Sequence, residues 1–320
     1  MPAESRGHRI AVLSGGNSSE REVSLKSGAA VEMALRSLGH RVLSIDPSQA
    51  SLSDTHVNGV AWDSIDLAFL ALHGASGEDG TIQTQLESLG VPYTGSGPRA
   101  SQVAFSKLAS KQVFLRAGVP TPPWQVVEPR LSQSELTGVA RQLGFPLVVK
   151  PDQQGSSLGV SLVHDERELR AALDLAFSFG PVVLLEQAIV GEEWTVGLLD
   201  DHPLPPIRIS SQGTIFDYQA KYHSDDTQYI FDDSASGVAA RTALVTRHAC
   251  LALGTRGVAR ADLMVDRLGR PFVLEVNTIP GFTDHSLVPK AAARLGMSFE
   301  DLCQWCVDSA LAHFQLRRAA

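Results

Sequence analysis

The chain has little cysteine, no long apolar run and no basic tract, and each shortage removes a class of protein. No stretch of its 320 residues approaches the roughly 18 consecutive apolar residues that span a bilayer. Lys and Arg number 27 against 35 Asp and Glu, a net charge of −8, and no basic run exceeds Arg317-Arg318. Nucleic acid and anionic membrane surfaces both need a clustered positive field, so neither is an expected partner. The cysteines are three, an odd number, and Cys303-x-x-Cys306 has no second pair to complete a metal site. That pair sits among Phe299, Leu302 and Val307 at helical spacing, which reads as core packing. Residues 1–9 are polar and lack the apolar core of a secretion signal, so a cytoplasmic protein is expected. Gly-x-Gly-x-x-Gly and the Walker A pattern are both missing, which argues against a Rossmann dehydrogenase and a P-loop enzyme. There is no internal repeat.

What is present is ordinary globular material, 43% hydrophobic and 19% charged. At roughly 100–200 residues per domain, the length implies two or three domains. Apolar runs at 9–14, 41–45 and 67–72 surround a helical pattern over 19–38 closed by Gly39, which suggests a parallel sheet with a crossover helix. Turn-rich sequence at 93–98 closes that unit. A helix over 106–117 stops at Gly118 and Pro120. Runs at 147–150, 159–163 and 182–186 around a helix at 166–179 then make a small α+β unit. Strands at 194–199 and 207–210 precede a polar stretch, 211–237, too long for an ordinary connection and read as a functional loop. A helix at 241–256, strands at 258–265 and 271–276 and two further helices complete the chain. The expected class is α/β and α+β.

Three motifs carry chemistry. Gly15-Gly16-Asn17-Ser18-Ser19-Glu20-Arg21-Glu22 joins a strand to a helix, where backbone amides bind anions. A plain capping box from Ser19 to Glu22 accounts for Glu22 but leaves Glu20 unexplained. Lys150 followed by Asp152-Gln153-Gln154-Gly155-Ser156-Ser157-Leu158-Gly159 combines a point charge with exposed amides and hydroxyls, the parts of a phosphate cradle. A hairpin loop alone has no need of Lys150. Arg260-Ala261-Asp262 and Glu275-Val276-Asn277 lie on consecutive strands, and a turn centred on Leu268-Gly269 puts Asp262 opposite Glu275. Glu275 and Asn277, two apart, share a face. Two carboxylates and an amide oxygen on one face suit Mg²⁺ carrying nucleotide phosphates better than a merely solvated face. Asp217-Tyr218-Gln219-Ala220-Lys221-Tyr222, in the long polar stretch, suits a lid over charged substrate or simply packs its tyrosines.

In this order, these segments resemble the D-alanine–D-alanine ligases of the ATP-grasp superfamily. The run from His73 through Gly80, Tyr93-Thr94-Gly95-Ser96-Gly97, and Glu275 through Gly281 to His285-Ser286-Leu287-Val288-Pro289 complete the match, from residue 9 to about 300. Ser106, Thr84 and Gln187 depart from the family's usual Asp, Gly and Lys, and none removes a group assigned to chemistry.

The resemblance implies three domains: a Rossmann-like parallel-sheet substrate domain at 1–96, a central ATP-grasp lid domain at 97–188, and a catalytic domain at 189–320 with a mobile loop at 211–237. Lys107 and Lys150 would hold ATP phosphates under the Ser156-Ser157 loop. Glu186, Gln187, Ala188 and Ile189 would meet the adenine, and Glu193 the ribose. Asp262, Glu275 and Asn277 would bind two Mg²⁺ (or Mn²⁺) ions, with Glu275 bridging. Glu20 would take the ammonium of the first D-alanine and connect through Ser156 to Tyr222. Arg260 and the Gly281 amide would stabilise the oxyanion. His73, Lys221, Ser286 and Leu287 would contact amino-acid substrate. The implied activity is ATP-dependent synthesis of D-alanyl-D-alanine through D-alanyl phosphate, for bacterial cell-wall precursors, by a homodimer. A D-alanine–D-lactate ligase, another ATP-grasp amino-acid ligase and a nucleotide-binding regulatory module without turnover are the alternatives. Intact Lys150, Arg260, Asp262, Glu275 and Asn277 weigh against the last.

Overall fold

A computed structural model describes residues 7–49, 56–57, 60–210, 227–232, 237–283 and 285–319. Strand β1 (Arg9–Leu13) lies between β2 (Arg41–Ile45) and β3 (Leu67–Leu70), all parallel. The crossover helix α1 (Arg21–Ser37) begins after Glu20 with no side-chain cap, so the Ser19–Glu22 capping box does not form. The turn is tied down otherwise: Ser24 Oγ accepts from Gly15 N (2.8 Å) and donates to the Ala71 carbonyl (2.6 Å). Helix α2 (Thr81–Ser88) completes this unit.

Helices α3 (Pro98–Phe105) and α4 (Lys107–Ala117) follow, and Ser106 caps α4 by accepting from Ala109 N at 3.1 Å. The resemblance leads one to expect Asp at this position, and the cap forms with Ser106 because a serine hydroxyl accepts the same bond. The next unit is a four-stranded antiparallel sheet, β4 (Trp124–Val127), β7 (Val183–Gln187), β5 (Leu147–Pro151) and β6 (Ser161–Val163) in spatial order. Helices α5 (Gln133–Leu143) and α6 (Glu166–Phe177) cover one face. Alternation along β5 decides the rest: Leu147 and Val149 enter that core, while Val148 and Lys150 face a cleft.

The last sheet is antiparallel, in the order β10 (Gln228–Phe231), β9 (Ile207–Ser210), β8 (Gly191–Leu199), β11 (Val258–Asp266), β12 (Pro271–Asn277). Helix α7 (Val238–Leu253) packs on one face together with α3 and α4, through Ala104, Phe114, Ala249, Val196, Ala261 and Leu263. The expected boundary at residue 97 thus differs from the packing, since α3 and α4 share their core with the C-terminal sheet. Helices α8 (Leu287–Arg294) and α9 (Phe299–Ala319) share a core with the N-terminal sheet, where Val288, Leu302 and Cys303 meet Ile10, Val12 and Phe69. Cys303 and Cys306 are free, buried members of that core, and burial pushes both thiols well up. Both serve as packing residues of that core.

The stretch 211–237 is not one loop. Its Tyr229, Ile230 and Phe231 are half-buried in β10, paired with β9. Tyr218, Lys221 and Tyr222 lie outside the described residues.

Candidate active site

Asp262 does lie opposite Glu275, but a bulge brings them there. Nearer the turn Leu263 pairs with Val273, and the register shifts before Asp262 pairs with Glu275 and Arg260 with Asn277. Leu274 is the extra residue. Without it in the bulge, Asp262 would face Leu274, and Glu275 would point into the core. With it, Leu274 and Glu275 both line the cleft, as do Asp262 and Met264.

Each carboxylate is met by a cation. Arg260 Nε and Nη2 donate to Asp262 Oδ1 (2.9 Å) and Oδ2 (2.8 Å), and Thr195 Oγ1 donates to Oδ1 at 2.7 Å. Lys107 Nζ lies 3.2 Å from Glu275 Oε2 and donates to the Gln154 carbonyl at 2.6 Å. Asn277 Oδ1 accepts from Ile279 N at 2.9 Å, which fixes the amide. Hard oxygens that already attract cations are a fitting donor set for a divalent metal.

Across the cleft, Lys150 Nζ lies 2.8 Å from Glu186 Oε1, on the sheet that faces this one. Lys150 and Lys107, both nearly buried, present their charges where a polyphosphate would enter. Ser156 and Ser157 adopt left-handed backbone, φ 51° and 58°, a conformation costly for serine and typical of ligand-gripping loops. Gln187, Ala188, Ile189 and Glu193 also line this cleft, about 540 Å³.

A second cavity of about 360 Å³ shares Lys107, Gln154, Asp262 and Glu275 with the first, so the two meet at the acid pair. Its walls include Glu20, His73, Ser156, Arg260, Gly281, Ser286 and Leu287. Ser156 Oγ donates to Glu20 Oε1, joining the central loop to the N-terminal unit. A Cβ at Gly155 would come 2.7 Å from Glu20 Oε2, so a side chain there would have to displace the Glu20 carboxylate. His73 lies 3.0 Å from the Ile279 carbonyl through Nδ1 and 3.1 Å from Ser27 Oγ through Nε2. A carbonyl only accepts, so Nδ1 carries a proton in this contact. Ser286 Oγ accepts from Thr283 N at 3.0 Å, and a Cβ on Gly281 would come 3.1 Å from it.

Family profiles describing the D-ala D-ala ligase N-terminus and C-terminus match residues 44–96 and 113–308. Over 295 residues the chain is 47% identical to a D-alanine--D-alanine ligase of Ectopseudomonas mendocina, covering 92% of each. A D-alanine--D-alanine ligase of Stutzerimonas stutzeri is 46% identical over 306 residues, with 95% and 94% covered. Among solved structures, a D-alanine--D-alanine ligase from Bacillus anthracis complexed with ATP superposes with a TM-score of 0.83 at 33% identity, covering 97% of this chain and 100% of that one. A D-Ala:D-Ser ligase from Enterococcus faecalis has a TM-score of 0.83 at 27% identity, covering 95% and 99%. The chain belongs to the D-alanine–D-alanine ligase family.

Sequence reasoning about this ligase missed three polar residues of the site. Thr195 holds Asp262, and its signal was its place on β8 directly opposite Asp262. Glu78 lines the smaller cavity with only 12% of its side chain exposed, beside His73 at 3.7 Å. Burial, opposed by the His73 ring and reinforced by the charge of Glu20, raises its carboxyl to about 7. Lys111, one helical turn beyond Lys107, lies 3.0 Å from Glu186 Oε1 and is wholly buried. Its spacing of four from Lys107 puts the two lysines on one face of α4.

Proposed function

We propose that this ligase joins two molecules of D-alanine into D-alanyl-D-alanine at the expense of ATP, through D-alanyl phosphate. The observation that carries the reading is the junction of the two cavities at Asp262, Glu275, Lys107 and Arg260. ATP occupies the larger cleft, adenine toward Gln187, Ala188 and Ile189, ribose toward Glu193, and phosphates between Lys107, Lys150 and Ser157. The first D-alanine occupies the smaller cavity, its ammonium at Glu20 and its carboxylate at the junction.

A carboxylate oxygen attacks the γ-phosphorus, the bond to the β-phosphate oxygen breaks, and ADP leaves with that electron pair. Lys107 and Lys150 offset charge as two anionic partners approach, which is electrostatic catalysis with no covalent enzyme step. Asp262, Glu275 and Asn277 would hold Mg²⁺ or Mn²⁺, which when bound supplies further positive charge to the phosphates. The neutral amine of the second D-alanine then attacks the acyl carbon, with Arg260 and the Gly281 amide facing the developing oxyanion. Phosphate leaves with the electron pair of the broken C–O bond, and the amine's surplus proton passes to solvent. Ser286 and Leu287 line the side from which that amine arrives. Lys221 and Tyr222 enter this reading through the resemblance alone, as do a cytoplasmic homodimer and the role in cell-wall precursor supply.

Phosphate release from ATP tests the proposal when measured with D-alanine, L-alanine, D-serine and D-lactate, singly and in pairs. D-Alanine alone should support release and yield the dipeptide. Equal release without any amino acid, or only with another acceptor, would overturn it.

A further inference from the structure

The side chain of Lys111 is completely buried, and none of the steps above uses it. It does not line either cavity. Its Nζ lies 3.0 Å from Glu186 Oε1, and Lys150 Nζ lies 2.8 Å from the same oxygen. Nζ also donates to Thr121 Oγ1 at 2.7 Å, which donates to the Val273 carbonyl at 2.8 Å, so the ammonium is pinned to the C-terminal sheet. A buried ammonium is costly, and a methionine of similar volume would satisfy the packing without that cost. Stability alone therefore does not account for a lysine here.

The charges give it a purpose. Glu186 alone would cancel Lys150 and leave a neutral pair facing the cleft. With Lys111 the triad carries one net positive charge, and Lys150 is the only member of its two cations that reaches the cleft. We propose that Lys111 is a positioning residue that neutralises Glu186, so that Glu186 can orient Lys150 without cancelling its charge toward the nucleotide phosphates. The inference rests on Lys150 being a phosphate contact. The groups facing Lys111 are Glu186 and Lys150 on the sheet and Lys107 on its own helix. Burial is the largest influence and lowers the Lys111 ammonium to about 8, with Glu186 opposing and the two lysines adding to the shift. Loss of that proton takes the triad from one positive charge to none, so phosphate affinity should fall as pH rises through 8.

The test is calorimetric binding of magnesium tripolyphosphate, which lacks the adenine that Glu186 would meet, to the full chain without D-alanine, for the native protein, Lys150→Met, Lys111→Met, and Lys111→Met combined with Glu186→Gln. Lys111→Met should weaken binding by about tenfold or more. Glu186→Gln in that background restores one net charge and should bring affinity back to within about threefold of native. A packing role predicts no such rescue, and a double variant no tighter than Lys111→Met overturns the inference, as does native affinity in Lys111→Met. Should Lys111→Met fail to fold, the pH series decides. Native affinity should fall between pH 7 and 9 while the double variant stays level, and a level native profile contradicts the proposal. Unchanged affinity in Lys150→Met would instead remove the phosphate reading itself, a separate outcome.

Discussion

Glu78 and Glu275 show how burial and pairing set what single residues do. In the folded chain the Glu78 carboxyl titrates near 7, above the ordinary 4.5. The neutral form is therefore favoured by folding. Its contribution is present in full below pH 4.5 and is lost as pH rises through 7, about 3 kcal/mol in all. Glu78→Gln should accordingly flatten the fall in stability between pH 5 and 8, as read from denaturant midpoints; an unchanged slope would assign that fall to other groups. Glu275→Gln keeps the shape of the side chain and removes its charge at an already polar site. Turnover at saturating Mg²⁺ should drop by about 100-fold or more with little change in melting temperature. The acid pair was legible in the sequence because acids at aligned positions stand out in apolar strands. Lys111 was not, because a lysine on an amphipathic helix ordinarily marks the solvated face, and its burial depends on β5, β7 and Thr121, which pack around it.

At the scale of elements, the strands that carry the site were readable as short apolar runs, and β9 was bounded correctly at 207–210. The bulge at Leu274 was not readable. The expected pairing of Asp262 with Glu275 came from a turn placed half a residue away, and the extra residue supplied the difference. Helix α3 starts at Pro98 in sequence that reads as a turn, α5 carries Gly138 and a polar face, and β10 hides among Asp, Ser and Gln. Each gains its definition from neighbours rather than from local periodicity. The loop at 154–159 makes its own prediction. Gly155→Ala pushes a methyl against Glu20 Oε2, displacing the carboxylate assigned to the first ammonium. KM for D-alanine should rise about tenfold while KM for ATP moves less. Equal changes in both would place the damage in the loop's phosphate grip instead.

Across the whole molecule, the N-terminal sheet and the C-terminal helices are one packed body, which fixes the walls of the smaller cavity against each other. Phe282 lies at the centre of that contact, its ring 5.7 Å from Phe69 and 5.6 Å from Phe299, and its N–H donates to Ser27 Oγ at 3.2 Å. Phe282→Ala should cost about 3–5 kcal/mol in unfolding free energy, and it should lower activity as well because Gly281 precedes it. Full activity in a variant so destabilised would show that the neighbouring amide needs no such support. Boundaries between units were less legible than their contents, since α3 and α4 precede the central sheet in the chain yet pack with the last one. The joining of two cavities at one acid pair implies that the carboxylate of the first D-alanine meets the γ-phosphate there. Isotope transfer tests this most directly. D-Alanine labelled with ¹⁸O in its carboxylate, turned over with ATP, should deliver one labelled oxygen to each phosphate released, alongside D-alanyl-D-alanine. Phosphate without label, formed at the same rate as dipeptide, would contradict an acyl phosphate and with it the proposed use of the junction.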